Sequence, residues 1–129
     1  MKQAPTLTVF GIANCDTVNK ARAWLTERDV AYTFADFKKQ GVDEAALSRW
    51  LAQPGWQALL NTRGTTWRRL DDAARAAVTD AASARALMLA QPSVIKRPVV
   101  AWPDGSVSVG FEPAVWQTKL DRGTAAGLA

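Results

Sequence analysis

The order of strand-forming and helix-forming segments restricts the fold of this chain more than any other feature. Residues 7–11 have the β-branched and aromatic content of a short buried strand. Val18, Ala21 and Leu25 then recur at the spacing of one helix face, and residues 30–37 are again rich in aromatic side chains. A strand, a helix and a second strand in this order predict a βαβ unit.

The last part of the chain predicts a second combination of strands and a helix. Residues 99–102 and 107–110 are β-rich, and the Asp-Gly pair between them indicates a hairpin. Glu112 and Pro113 open a final helix, because proline fits the first helical turn. The small residues at 123–129 predict a frayed end. This part of the chain is therefore expected to be ββα.

A helical insert, at about 43–90, is expected between the βαβ and ββα units. Asp43 can cap its first helix, and residues 61–69 form a polar loop that carries three arginines. The alanine-rich stretch after this loop predicts two helices, the second capped by Thr79 or Asp80. We expect all 129 residues to form one α/β domain, a mixed sheet covered by helices.

The chain has one cysteine and no histidine, and these counts exclude several kinds of site. Intrachain disulfides, zinc sites of Cys and His clusters, and Ser-His-Asp triads all need residues that are absent. The net charge of +4 is a modest excess, which favours a small anion over nucleic acid as a partner. We therefore predict no metal site, no tightly bound cofactor and no direct contact with nucleic acid.

The sequence also gives an expectation for the location of the protein. Met1 to Pro5 lack a following apolar run of the secretory type, and no apolar stretch approaches the length of a membrane span. A lone cysteine fits a reducing compartment. We expect a cytoplasmic protein that does not contact a membrane, and a monomer is favoured.

Cys15 is the candidate nucleophile because of its position. A buried structural role is the usual one for a free cysteine. Cys15, however, follows the first strand and precedes Asp16, the predicted N-cap of the first helix, where free N–H groups and the helix dipole favour a thiolate. The backbone N–H groups of Asn14, Asp16 and Thr17 are placed to bind an anion in the same loop. Because no second cysteine exists, any disulfide must form with an external thiol.

Two arginines and one proline are further candidates. Arg63 lies in a polar loop and Arg97 at a strand start, where a guanidinium can bind an oxyanion and stabilise a thiolate. The alternative is that both are solvated surface charges. Pro98 begins the third strand, and from the residues alone a trans peptide bond is the expectation.

Four segments together resemble the ArsC and Spx family of arsenate reductase-like proteins, and within it a YffB-like subgroup. They are VFGIANCDT at 9–17, LNTRGT at 60–65, IKRPV at 95–99 and VGF at 109–111. The resemblance implies a thioredoxin-like fold, with a mixed four-stranded sheet, flanking helices and a helical insert. It also implies that Cys15 is the nucleophile, that Arg63 and Arg97 act beside it, and that Pro98 is a cis-proline facing it.

The chain departs from the family pattern at two positions. Phe111 stands where arsenate reductases place a third arginine, and Val18 stands where Spx regulators complete a Cys-x-x-Cys pair. The leading prediction is therefore a glutathione-dependent thiol oxidoreductase that forms a mixed disulfide at Cys15. Glutathione or another small thiol is its expected co-substrate, and glutaredoxin a further partner.

Three alternatives remain open. The first is an arsenate reductase that uses glutathione and glutaredoxin. The second is a Spx-like regulator that binds RNA polymerase and has no enzymatic activity. The third is a structural interaction protein in which Cys15 has no chemical role.

Overall fold

The β-rich segments pair into a four-stranded mixed sheet. In chain order they are β1 (Thr8–Gly11), β2 (Thr33–Asp36), β3 (Val99–Ala101) and β4 (Val107–Val109), and they are arranged in the order β2-β1-β3-β4. β1 and β2 are parallel, as a connection through a helix requires, whereas β3 is antiparallel to both of its neighbours. The predicted mixed sheet is confirmed.

The computed structural model describes residues 7–128, with side chains as far as residue 121. The described helices are α1 (Asp16–Glu27), α2 (Phe37–Gln40), α3 (Glu44–Trp50), α4 (Trp56–Leu59), α5 (Thr65–Arg69), α6 (Asp72–Ala76), α7 (Ala81–Ala90) and α8 (Pro113–Leu128). A kinked connection at Leu51–Gly55, in which Gln53 has non-helical dihedral angles (φ −157°, ψ 117°), joins α3 to α4, and a 3₁₀ turn lies at Pro92–Val94. α8 continues to Leu128, so most of the stretch that was predicted to fray is helical. Met1 to Pro5, where no secretory signal is predicted, lie outside the described residues. None of the helices within residues 7–128 is long and apolar enough to span a membrane.

β2 begins later than predicted because the chain is still turning away from α1 at Val30. The N–H of Val30 donates to the carbonyl of Leu25 at 3.0 Å, and Asp29 adopts a left-handed φ of 56°. Val30 is thus part of the helix C-terminus. Phe37, predicted as the last strand residue, instead begins α2.

The described chain divides into two units. The first comprises the described residues up to Asp36 and from Arg97 onward, and it holds the sheet, α1 and α8. Its core is the set of buried residues Leu7, Val9, Ala21, Leu25, Val100, Trp102 and Trp116. Val9 and Val100 are direct partners across β1 and β3, so the two central strands contribute paired side chains to this core.

The second unit, Phe37–Lys96, is helical and contains the predicted insert. Its buried side chains include Leu47, Trp50, Leu59, Met88 and Ile95, none more than 1% exposed. An isolated antiparallel bridge joins Leu60 to Ile95. The prediction of one domain for the whole chain stays a prediction.

The helix starts of the second unit follow the predicted caps. The side chain of Asp43 accepts the N–H of Ala45, and that of Asp80 accepts the N–H of Ser83. The predicted loop at 61–69, however, contains the short helix α5. Trp67 is half-buried in this helix, so tertiary packing offsets the polar composition that predicted a loop.

Candidate active site

The strand register brings several predicted site residues to one end of the sheet. The last residue of β1 pairs with Asp36 in the parallel ladder, and Phe10 pairs with Val99 in the antiparallel one. Because β3 runs opposite to β1, the residues just before Val99 lie at the end of the sheet where β1 finishes. Arg97 and Pro98 therefore lie at the same sheet end as the loop that leads to Cys15.

The connection from β1 to α1 is short and tightly packed. Gly11 ends the strand, and a Cβ added there would lie 2.9 Å from Cγ2 of the fully buried Val18. Only glycine allows the strand to approach the first turns of α1 this closely. The loop between them, residues 12–15, therefore enters the helix directly at Cys15.

Cys15 is the N-cap of α1, which corrects the prediction that Asp16 is. Cys15 has extended dihedral angles (φ −142°, ψ 122°), and its carbonyl accepts the N–H of Asn19 at 2.9 Å. A residue with this geometry is the last one outside the helix, so Asp16 is the first helical residue. The thiol is half-exposed, and it belongs to the cap residue itself.

The residues around Cys15 are open to solvent. Asn14, Asp16 and Thr17 are all exposed. The first N–H groups of an α-helix have no acceptor within the helix, and α1 has no side-chain cap bond from Cys15. The carboxylate of Asp16 is in the first turn, where the helix dipole stabilises a negative charge. This helix start can therefore hold an anionic group beside the sulfur.

Pro98 and Arg97 have the backbone geometry that the family resemblance implies. The Arg97–Pro98 peptide bond is cis, contrary to the expectation from the residues alone. Pro98 is buried, and its carbonyl accepts the N–H of Gly110 at 2.9 Å. Arg97 is half-buried, so its guanidinium is partly withdrawn from solvent.

Arg63 lies in the second unit, in the turn between α4 and α5. Its side chain is exposed, and its backbone N–H donates to Oδ1 of Asn61 at 3.2 Å. Asn61 in turn donates its own N–H to the carbonyl of Val94 at 2.7 Å. The turn that carries Arg63 is thus well held, and the role of Arg63 beside Cys15 stays a prediction.

Asp36, which the residue pattern did not single out, contacts the loop that leads to Cys15. It is 7% exposed, and its Oδ2 accepts the backbone N–H of Ala13 at 3.2 Å. The available signal was an acidic residue at the carboxyl end of a predicted strand. Its contact with Ala13 depends on the parallel register of β1 and β2, which the sequence pattern does not specify.

Phe111 is half-buried and packs against the core of the first unit. Its ring centroid lies 4.8 Å from that of Trp116 and 6.1 Å from that of Trp24, both with edge-on geometry. The residue at the expected third-arginine position therefore contributes apolar packing and no charge. Among the described side chains, no group of three or more Cys, Asp or Glu residues is arranged to hold a metal ion.

Two relatives illustrate the range of proteins that this chain is similar to. A protein of Haemophilus influenzae is 37% identical over 111 residues, which cover 86% of this chain and 96% of that protein. The global transcriptional regulator Spx of Staphylococcus epidermidis is 26% identical over 108 residues, which cover 81% of this chain and 79% of the regulator.

Two solved protein structures are also similar to this chain. The YFFB protein is 50% identical, with a TM-score of 0.83 over 88% of this chain and 98% of that protein. An arsenate reductase (ArsC) related protein from Brucella melitensis is 48% identical, with a TM-score of 0.71 over 92% of this chain and 97% of that protein. These similarities confirm the thioredoxin-like fold, with its mixed four-stranded sheet and flanking helices, and the YffB-like subgroup.

The sequence model of the ArsC family matches residues 10–119. The match begins within β1, spans both units and ends within α8. It therefore includes the end of the sheet where Cys15 and Pro98 lie, as well as the turn that carries Arg63. This chain belongs to the ArsC family.

Proposed function

We propose that this protein is a glutathione-dependent thiol oxidoreductase in which Cys15 is the nucleophile. The observation that carries the proposal is the position of Cys15, half-exposed at the N-terminus of α1 and at the same sheet end as Arg97 and cis-Pro98. A thiolate is stabilised by free helix N–H groups and by nearby cations. Membership of a family whose solved relatives include an arsenate reductase-related protein supports redox chemistry at this site.

The proposed reaction has two thiol–disulfide exchanges. The Cys15 thiolate attacks the glutathione sulfur of a mixed disulfide, forms a Cys15–glutathione disulfide and releases the other sulfur as a thiolate, which takes a proton from water. A second glutathione thiolate then attacks the glutathione sulfur of this intermediate. Glutathione disulfide leaves, and the Cys15 thiolate is restored. One free glutathione is consumed in each turnover: its sulfur leaves joined to the glutathione sulfur of the substrate, the other substrate sulfur leaves as a thiol, and no tightly bound cofactor takes part.

The other predicted residues are assigned to anion binding. Arg97 and Arg63 hold carboxylates of glutathione through charged hydrogen bonds and stabilise the Cys15 thiolate. The backbone N–H groups of Asn14, Asp16 and Thr17 bind the same anionic ligand. Pro98 forms one wall of the site. These assignments suit a monomer in the reducing cytoplasm, with glutaredoxin as a further partner.

Mass spectrometry of the intact protein tests the proposal directly. After incubation with glutathione disulfide, the wild-type protein should gain one glutathionyl group, and added glutathione should remove it. Cys15→Ser is the matched control, since it keeps the size of the side chain and removes the only thiol. A wild-type protein that gains no adduct, or gains one that glutathione does not remove, contradicts the proposal.

Arsenate reduction is the second candidate. The arsenate reductase-related protein from Brucella melitensis favours it, whereas the packing of Phe111 in the aromatic core disfavours it. Losing one charged hydrogen bond to an oxyanion costs about 1.5–3 kcal/mol. Turnover of arsenate with glutathione and glutaredoxin separates this candidate from general thiol exchange.

The similarity to Spx regulators supports a candidate without enzymatic activity, which is binding to RNA polymerase. A pull-down with the polymerase α subunit tests it. Retention of the α subunit together with an inert Cys15 would favour this candidate over the oxidoreductase.

A further inference from the structure

Asp36 is an acidic residue at a buried position, where aspartate is rarely found. Among the described residues it is the only polar or charged one that is buried, with 7% of its surface exposed. Burying a carboxylate is unfavourable unless hydrogen bonds replace its lost hydration. A residue of this kind at the end of a strand therefore calls for a specific role.

The contact with Ala13 indicates that role. Oδ2 of Asp36 accepts the backbone N–H of Ala13 at 3.2 Å, across a separation of 23 residues. Ala13 is itself exposed and lies in the middle of the loop between β1 and Cys15. The hydrogen bond therefore joins the centre of this loop to the neighbouring strand.

The loop is held at both of its ends as well. Gly11, before the loop, is paired with Asp36 in the parallel ladder. Cys15, after it, accepts the N–H of Asn19 as the N-cap of α1. Between these two points Ile12 is buried, whereas Ala13 and Asn14 are exposed and have little apolar packing to hold them. The Asp36 carboxylate supplies a fixed point in this gap.

We propose that Asp36 is a positioning residue that fixes the loop at residues 12–14 through the N–H of Ala13 and so sets the placement of the Cys15 sulfur. Its catalytic consequence rests on the proposed function of Cys15. Its effect on the loop and on the reactivity of the thiol does not. Asp36 has no part in the bonds that form and break.

Two substitutions of Asp36 distinguish the loss of its hydrogen bond to Ala13 from the loss of its negative charge. Asp36→Asn keeps an oxygen that can accept the N–H of Ala13, whereas Asp36→Ala removes it. Iodoacetamide alkylation of Cys15, followed from acidic to alkaline pH, should reach the same maximal rate in Asp36→Asn as in the wild type, because the acceptor for the N–H of Ala13 is kept. In Asp36→Ala we expect alkylation at neutral pH to slow about tenfold, because the cap geometry is no longer held. Glu27→Gln, an exposed acid-to-amide change at the end of α1, is the matched control.

Hydrogen exchange provides a readout at the loop itself. The Ala13 amide should be protected in the wild type and in Asp36→Asn, and it should exchange about tenfold faster or more in Asp36→Ala. Alkylation and exchange of Asp36→Ala at wild-type rates would overturn the proposal. So would an Ala13 amide that exchanges about tenfold faster or more in Asp36→Asn than in the wild type, and this comparison still decides the matter if Asp36→Ala does not fold.

Neither readout requires glutathione. If the wild type forms no glutathione adduct, the proposed function fails, and the tether between Asp36 and Ala13 is still tested by alkylation and exchange. If the adduct forms but Asp36→Ala is unchanged in both readouts, the proposed function stands and the role of Asp36 is wrong.

Discussion

Arg97 has a half-buried guanidinium next to cis-Pro98, at the end of the sheet that leads to Cys15. A partly buried cation is screened less by salt than an exposed one, so its effect on an anion is larger. The side chain of Arg63 is exposed, so salt screens its charge more and its effect on an anion is smaller. Of the two arginines, Arg97 is therefore expected to affect the reactivity of Cys15 more.

Replacement of Arg97 should slow the formation of the Cys15–glutathione disulfide. Loss of a charged hydrogen bond of about 1.5–3 kcal/mol predicts a fall of roughly 10- to 100-fold in Arg97→Ala. Arg97→Lys should be intermediate, since an ammonium keeps the charge without the two-pronged geometry. Stopped-flow or quenched reaction with glutathione disulfide measures these rates. The exposed Arg49→Ala should react like the wild type, and the same result for Arg97→Ala would remove Arg97 from the site.

Residue types alone predicted the place of Cys15 between a strand and a helix, and they failed where backbone geometry decides. Cys15 could be placed near a helix start because a strand pattern precedes it and a helix pattern follows. The choice between Cys15 and Asp16 as the N-cap depends on which carbonyl accepts the N–H of Asn19, and aspartate has the stronger general preference for that position. The contact of Asp36 with Ala13 needed the strand register, which is a tertiary property.

At the scale of elements, the predictions were correct for caps and turns whose structure depends mainly on neighbouring residues in the sequence. The cap at Asp43, the hairpin through Gly105 and the helix start at Pro113 all form as predicted. Gly105 has φ 91°, which glycine adopts at little cost. α5 was missed because its polar sequence contains no helix signal apart from the packing of Trp67, which only the folded unit reveals.

The capping box of α7 makes a prediction about pH. Oδ1 of Asp80 accepts the N–H of Ser83, and this bond, together with the one from the Ser83 hydroxyl, lowers the pKa of Asp80 below its ordinary value of 3.8. A carboxylate whose pKa is lower in the folded state than in the unfolded state stabilises the folded protein at pH values above its unfolded-state pKa. That stabilisation is lost as the pH falls through the folded-state value.

Asp80→Asn should therefore remove a pH-dependent part of the stability and keep the cap. Asparagine caps helices about as well as aspartate but does not ionise in this range. Urea unfolding from pH 7 to pH 3 measures the difference in unfolding free energy between the wild type and the variant. We expect the advantage of the wild type to be constant at neutral pH and to shrink as the pH falls below about 3.8. A difference that does not change across the range would contradict the assignment.

At the scale of the whole molecule, the aromatic residues of the first unit explain two features together. Trp116 is 1% exposed, and its ring contacts Trp24, Trp102 and Phe111 at centroid distances of 5.9, 5.3 and 4.8 Å. Trp116 is thus a central residue of the core of this unit. Phe111 packs against this cluster, so the residue at the expected third-arginine position has a packing role in the first unit.

Trp116 should therefore be among the residues on which the stability of the first unit depends most. Trp116→Ala is expected to lower the free energy of unfolding by about 3–5 kcal/mol, the usual range for a buried tryptophan. Trp116→Phe should lose less than half as much, because it keeps a ring in the cluster and removes Nε1, which is buried without a hydrogen-bond partner among the described residues. Urea unfolding followed by circular dichroism measures both changes.

Val115→Ala is the matched control for these variants, because Val115 is the neighbouring α8 residue and is 39% exposed. It should change the free energy of unfolding by no more than about 0.5 kcal/mol. If Trp116→Ala were as mild as Val115→Ala, the aromatic cluster would not stabilise the unit. Phe111 would then have no packing role in the unit, whereas the absence of a charged side chain at this position would still count against arsenate reduction.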